Sequence, residues 1–384
     1  MTKQYDKPLH LTNSISDKFK WWVFISITLI VFLHGYNLQQ RFLQPWTTVQ
    51  EALTPTTFTE YFIANGVLRF LIPMLFAISG FLYALHDQMP NSRRIRRRLR
   101  TLLLPYLMWS TFAIIMTWLL ELFPYTRNLV FTSGIAYIDD NRRLLHDYRW
   151  FELLRSWLFS TIAYQLWFLR VLLIYNLVYP LLRWCIGHPI VKWIFWVVLL
   201  LLWMGSFESV VAEGEGLLFF SFGIWIQKMN FNIDSAAYRK RTILVWAGLL
   251  MASAAAKTWL AFKGQAMLGN QVFPAIILLH KLTVASGLIA GWFGLDGLSR
   301  WCMCNRRFVT LTAFSFFIYT FHTPLVGYAI NPMLSWLYPL SAYRLLCFLL
   351  LPLTVIAFSI GVGALFRRIA PGTYRLLTGG RGLG

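Results

Sequence analysis

Two histidines stand inside apolar runs that have little other use for a polar side chain. His34 closes WWVFISITLIVFLHGYN (21–37), and His322 sits in SFFIYTFHTPL (315–325). An imidazole takes up or releases a proton near neutral pH, which suits it to general acid–base work. If residues 20–37 are a helix, His34 lies 14 residues past Lys20, roughly 20 Å along the axis. In a membrane, an ionisable group at that depth is costly and faces a bundle interior or a wet cavity. A packing histidine, hydrogen-bonded to a neighbouring helix, is the competing reading for each. Taken together, the two could form an acid/base pair.

The segment NSRRIRRRLR (91–100) holds six arginines. Orienting a membrane protein accounts for some of them. Arg97 and Arg100 are one helical turn apart, so their guanidiniums share a face and can clamp a phosphorylated ligand. A phosphate-rich cofactor such as a coenzyme A ester fits that clamp, and anionic lipid headgroups are the alternative.

Other charges lie within or at the mouths of apolar runs. Arg69 falls in LRFLIPMLFAISGFL, Arg170 in QLWFLRVLLIYNLVYP, and Lys281 follows His280 in AIILLHKLTVASG. A central charge costs about 2.5–3.5 kcal/mol to insert, so each calls for a partner or a cavity unless it snorkels to the interface. Few acids lie near them: Glu213 and Glu215 open one run and Glu121 closes another. The expectation is a cavity of net positive charge that draws in an anionic substrate or cofactor. Glu215 is the candidate acid to orient His34, and Arg69 or Arg170 the candidate to stabilise a developing oxyanion.

The elements that must position these groups follow from composition. Of 384 residues, 58% are hydrophobic and 13% charged, and apolar runs recur from end to end. A spanning helix needs about 20 such residues. Continuous runs without alternation exclude a β-barrel, so the chain reads as an all-α polytopic membrane protein. Ten transmembrane helices are expected near 20–37, 62–85, 101–123, 163–182, 190–207, 213–229, 242–262, 271–296, 308–329 and 344–366. Most Lys and Arg fall in alternate loops if the N-terminus is inside: Lys3, Lys7, Lys18 and Lys20; the arginine cluster; Arg183 and Lys192; Lys228 and Arg239–Arg241; Arg300, Arg306 and Arg307; and the C-terminal arginines. Both termini are therefore expected to be cytoplasmic. One membrane domain (20–368) lies between cytoplasmic tails at 1–19 and 369–384.

The formal charge of +20 is explained by this loop bias, so no nucleic-acid partner is expected. Four scattered cysteines do not make a disulfide framework, and Cys302-Met303-Cys304 lacks partners for a metal, so none is expected. No cleavage site follows the polar N-terminus, and no cleaved signal peptide is expected. The one sizeable loop (124–162) has aromatics between charges in its second half, as an interfacial helix would. Trp46, Tyr148 and Trp150 could stack on sugars, though interfacial anchoring is the simpler role. Oligomeric state is not readable.

The landmarks IVFLHGYN, RFLIPMLFAISGFL, RRRLRTLLLPY, LWFLRVLLIYNLVYP, GLLFFSFGIWI, SFFIYTFHTPL and LTGGRG occur in that order over nearly the whole chain. In order and spacing, the sequence resembles the acyltransferase-3 family of bacterial integral-membrane acyltransferases. The resemblance implies ten spans in the inner membrane and O-acylation of a surface glycan or related acceptor. It implies that His34 is the catalytic histidine and that Arg97 and Arg100 form the R-x-x-R motif associated with an acyl-CoA donor. Many members carry a basic residue eleven positions before the histidine. Here that position is Val23, and Lys20, one helical turn earlier, is the nearest substitute for its donor-side role. On this reading acetyl-CoA docks on Arg97 and Arg100, with Arg69 and Arg170 as further basic groups on the donor route. His34 serves as base or transient acyl carrier, with Glu215 and His322 as its candidate partners. The acceptor is an extracytoplasmic glycan or lipid-linked saccharide. A transporter or flippase for an anionic lipid-linked saccharide is the alternative, but the internal symmetry that such proteins often show is not seen.

Overall fold

The computed structural model describes residues 12–40, 43–133, 143–159, 162–231, 233 and 240–382. Lys3, Lys7, Arg239 and most of the expected N-terminal tail lie outside the described residues, as does part of the 124–162 loop. Among the described residues the chain is helical and has no β-strand.

The helices run α1 (Asn13–Gly35), α2 (Pro55–Tyr61), α3 (Leu71–Ala84), α4 (Asn91–Arg98), α5 (Leu104–Glu121) and α6 (Pro124–Ser133). Next come α7 (Trp150–Phe159), α8 (Trp167–Leu177), α9 (Tyr179–Gly187), α10 (Val191–Met204) and α11 (Gly214–Lys228). Then follow α12 (Lys240–Leu268), α13 (Val272–Gly294), α14 (Asp296–Met303), α15 (Arg306–Thr312), α16 (Ser315–Leu337), α17 (Tyr343–Ile369) and α18 (Pro371–Thr378). Helix covers most of each of the ten apolar runs. By length and composition, four helical stretches are able to cross a membrane: Pro55–Ala84, Asn91–Glu121, Lys240–Gly294 and Tyr343–Ile369. The number reaches seven if each of three sharply bent helix pairs counts as one span. The protein is thus an all-helical, multi-pass membrane protein.

The tightest pairings are α12 with α13, α3 with α11, and α16 with α17, while α1 packs on α16, α17, α14 and α3. Between α3 and α11 the approach is backbone to backbone. A Cβ on Gly80 would lie 2.0 Å from Phe220 O, and one on Gly223 would lie 2.0 Å from Ala77 O. Small residues at such a crossing let helices touch where lipid offers no hydrophobic drive. Apolar side chains on the outside, such as Trp193, Ile194, Val197 and Leu201 of α10, are exposed. The second half of the long loop forms α7, which turns Trp150, Phe151, Leu154 and Phe159 outward and buries Ser156.

Three prolines set local backbone geometry, two near the His34 cavity and one beside the arginine cluster, because each removes the N–H that would bond the carbonyl four residues earlier. Pro73 leaves Arg69 O without that partner, and the chain ahead of it is wound as a π turn (Phe62–Gly66) and a 3-10 turn (Val67–Phe70). Pro105 frees Thr101 O beside a π turn at Leu99–Leu103. Pro324 frees Thr320 O in α16. A buried carbonyl left unpaired costs about 1–3 kcal/mol, so each must recruit a donor from elsewhere or find water.

Candidate active site

His34 is the penultimate residue of α1, half-buried, with the chain turning extended at Tyr36. The turn is held by side chains. Asn37 N donates to Glu60 Oε2 at 2.9 Å, Arg344 Nε donates to Asn37 Oδ1 at 2.9 Å, and Arg344 also pairs with Glu51 at 2.5 Å. Leu43 N donates to Tyr36 Oη at 2.8 Å. The helix therefore ends where it does by tertiary bonding, and His34 faces a cavity of about 500 Å³.

Tyr164 Oη lies 2.6 Å from His34 Nδ1. Tyr164 belongs to a 3-10 turn (Tyr164–Leu166) that is tied at both ends of its next residue to α16. Gln165 Nε2 donates to Thr320 O at 2.9 Å, the carbonyl that Pro324 leaves open, and Tyr319 Oη donates to Gln165 O at 2.5 Å. His322, on the same helix, stacks its ring on His34 with centroids 5.4 Å apart and planes 28° apart. Its Nδ1 is 3.0 Å from Ile318 O, which can only accept, so Nδ1 carries the proton. In the neutral ring Nε2 then accepts from Thr323 Oγ1 at 3.1 Å. With both nitrogens engaged, His322 supports the His34 ring by stacking, and no proton transfer between the two is set up in this geometry.

Arg69 enters the same cavity from the broken helix ahead of Pro73. Its Nη2 donates to Asn65 Oδ1 and, at 3.4 Å, to Leu43 O, while its Nε is buried without a partner. Lys257 of α12, fully buried, donates to Asn65 O and reaches His280 Nδ1 at 3.2 Å. Glu215 lines the cavity too. Trp203 Nε1 donates to it at 2.9 Å, His280 Nε2 lies 3.7 Å away and Lys281 Nζ 3.8 Å away. The structure thus joins Glu215 to His280 and Lys281, and gives the place beside His34 Nδ1 to Tyr164.

The expected excess of positive charge at this cavity is not found. Arg69 and Lys281 line it together with Glu208, Glu213 and Glu215. Glu208 comes from the turn between α10 and α11, outside the apolar runs. Trp46 and Trp167 complete a lining that mixes aromatic faces with carboxylates.

The arginine cluster is at the end of α4, apart from this cavity. Arg94 is buried and structural, bonded to Asp87 at 3.1 Å and to Tyr83 O at 2.9 Å. Arg97 and Arg100 are exposed and have no ion pair among the described residues. Arg170 does not line the His34 cavity; it stands against Tyr106 with its Nε buried and unbonded. Lys20 pairs with Asp17, and Val23 is half-buried.

With that geometry in view, comparison with known proteins gives a consistent result. The acyltransferase-domain family known as acyltransferase-3 matches residues 19–362. The chain belongs to this family. It is 25% identical over 365 residues to the succinoglycan biosynthesis protein ExoH of Rhizobium meliloti, covering 92% of this chain and 90% of that one. No solved structure matches. The protein is therefore a membrane acyltransferase.

Tyr164, which no feature of the sequence singles out, is the residue placed against His34 Nδ1. A free Nε2 on His34 requires that Nδ1 hold the proton and donate it to Tyr164 Oη. If His34 acts as a general base through Nε2, Tyr164→Phe is expected to lower kcat roughly tenfold, with donor KM unchanged. Steady-state kinetics on both substrates check this; a wild-type kcat would remove Tyr164 from the machinery.

Proposed function

We propose that the enzyme moves an acyl group, acetyl in the simplest case, from cytoplasmic acyl-CoA to a hydroxyl of an extracytoplasmic glycan or lipid-linked saccharide. The proposed setting is the inner membrane of a bacterium, with both chain termini cytoplasmic and residues 20–368 as the membrane domain. The observation that carries the reading is His34 facing a roomy cavity with its Nδ1 on Tyr164 and with Arg69 lining the same cavity. Donor phosphates rest on Arg97 and Arg100, and the thioester end extends toward His34. His34 Nε2 takes the proton from the acceptor hydroxyl as its oxygen attacks the thioester carbonyl. Arg69 faces the oxyanion of the tetrahedral intermediate. Collapse breaks the C–S bond, and the imidazolium returns the proton to the departing thiolate, giving the ester and free CoA.

Trp46 and Trp167 with Glu208 and Glu213 suit a hydroxyl-rich ring, since aromatic faces and carboxylate acceptors match its apolar faces and its O–H donors. The similarity to a succinoglycan biosynthesis protein supports a polysaccharide acceptor. The test is release of thiol from acetyl-CoA by the purified protein in detergent, with a saccharide acceptor added. Arg97→Ala/Arg100→Ala is expected to raise donor KM at least tenfold with a smaller effect on kcat, each lost charge-assisted bond being worth about 1.5–3 kcal/mol. If the wild-type protein neither binds nor consumes acetyl-CoA, the donor assignment fails.

A further inference from the structure

The motif LTGGRG at 377–382 has no part in the chemistry described so far, yet the fold places it with care. Helix α18 ends at Gly379 in the left-handed region (φ 61°), where a Cβ would lie 2.6 Å from Thr101 O. Gly382 (φ 75°) would put a Cβ 2.2 Å from Ala313 O. Only glycine allows the segment to lie this close to the π turn after the arginine cluster. Between these glycines stands Arg381. Its Nη1 donates to Thr101 O at 2.8 Å, the carbonyl that Pro105 leaves open, and to Thr378 O at 3.1 Å. Its guanidinium lies 4.4 Å from the centre of the Phe316 ring.

Those bonds use the two N–H groups of Nη1. A guanidinium has five, so Nε and Nη2 keep three donors with no bonding partner among the described residues, and neither atom is sealed from solvent. No carboxylate pairs with Arg381 among the described residues. The adjacent cations are Arg98, itself 4.9 Å over the Tyr83 ring, and Arg97. Burial and these two like charges push the Arg381 guanidinium down to about 10. A structural clamp needs only Nη1. It does not explain why the fold gathers three guanidiniums without an acid and leaves a donor fork open among them.

We infer that Arg381 is a phosphoryl-binding residue: the glycine-flanked C-terminal segment holds its free fork beside Arg97 and Arg98 to take a phosphate of the ligand bound there. This deepens the donor reading above, and the same chemistry would also fit the headgroup of an anionic lipid. Phe316 precedes His322 by six residues, about 9 Å of helix, so a ligand anchored here has α16 as a direct line to the cavity.

The test measures coenzyme A binding to the full-length protein in detergent, for wild type, Arg381→Gln and Arg381→Lys, with melting temperature as the fold control. Arg381→Gln is expected to weaken coenzyme A at least tenfold, to raise KM for acetyl-CoA and to leave kcat within a few-fold. Arg381→Lys is expected to lose affinity several-fold, because one ammonium cannot span both carbonyls and present a planar fork. It decides the matter if the glutamine variant does not fold. A parallel arm measures partition of anionic phospholipid into the protein from mixed micelles. Reduced lipid retention with unchanged coenzyme A affinity assigns the phosphoryl group to a headgroup. Unchanged affinity for both in a folded variant overturns the proposal. If wild type binds no coenzyme A, the donor reading fails on its own, and the lipid arm alone decides whether Arg381 holds a phosphoryl group.

Discussion

Replacing His34 by alanine is expected to lower kcat by about 10²–10⁴-fold, the usual worth of a positioned general base, with the protein still folded. The fold should survive because His34 is half-buried at a cavity wall and its contacts are one hydrogen bond to Tyr164 and one stack on His322. The end of α1 is secured by Asn37, Glu60 and Arg344, which the substitution does not touch. Donor affinity should be close to wild type, since Arg97 and Arg100 are at the other end of the proposed donor path. The measurements are acceptor-dependent thiol release, coenzyme A binding and melting temperature on the same preparations. Activity within tenfold of wild type would return His34 to a packing role. Acid-quench labelling of the wild type with acyl-labelled donor and no acceptor addresses the mechanism: a general base predicts no labelled protein, whereas a stoichiometric acyl–histidine would mean that His34 carries the acyl group itself.

The helical runs and the two histidines were legible because each is a local signal: an apolar stretch of spanning length, or a titratable group inside one. Even the stacking of His34 on His322 was within reach, since both fall in the same half of the membrane by counting residues. Tyr164 was not. It is 130 positions from His34, and in a chain rich in interfacial aromatics a lone tyrosine carries no mark of its partner. The only trace lay elsewhere, in Pro324, whose missing N–H obliges some donor to reach Thr320 O; that donor, Gln165, carries Tyr164 into place. Arg381 answers Pro105 in the same way, donating across 280 positions to Thr101 O. The charge balance of the cavity is hidden from the sequence for a different reason. Glu208 reaches the cavity from a turn outside the apolar runs, so the acids inside those runs understate its negative charge. Proline positions record which carbonyls need partners; they do not record which residues answer.

Arg69 is the second residue whose loss should be severe. It shares the cavity with His34, stands near enough for its charge to act on His34 and Tyr164, and keeps Nη1 with no bonding partner among the described residues and not sealed from solvent. An N–H donor at a cavity wall with no protein acceptor is open to a developing oxyanion, which it meets already charged and in place. Because Asn65 and Leu43 O already fix the guanidinium, it needs no reorganisation when charge appears on the carbonyl oxygen. Arg69→Met, which keeps the length and removes the donors, is expected to lower kcat by about 10²–10³-fold with KM for both substrates nearly unchanged. Arg69→Lys should recover part of that loss by restoring the charge without the fork. The competing account is that Arg69 matters only by holding Asn65 and so the π turn that Lys257 also binds. That account predicts a fall in melting temperature and equal damage from Asn65→Ala. A stable Arg69→Met enzyme with wild-type kcat and a raised acceptor KM would instead make Arg69 an acceptor-binding residue and leave the oxyanion to another donor.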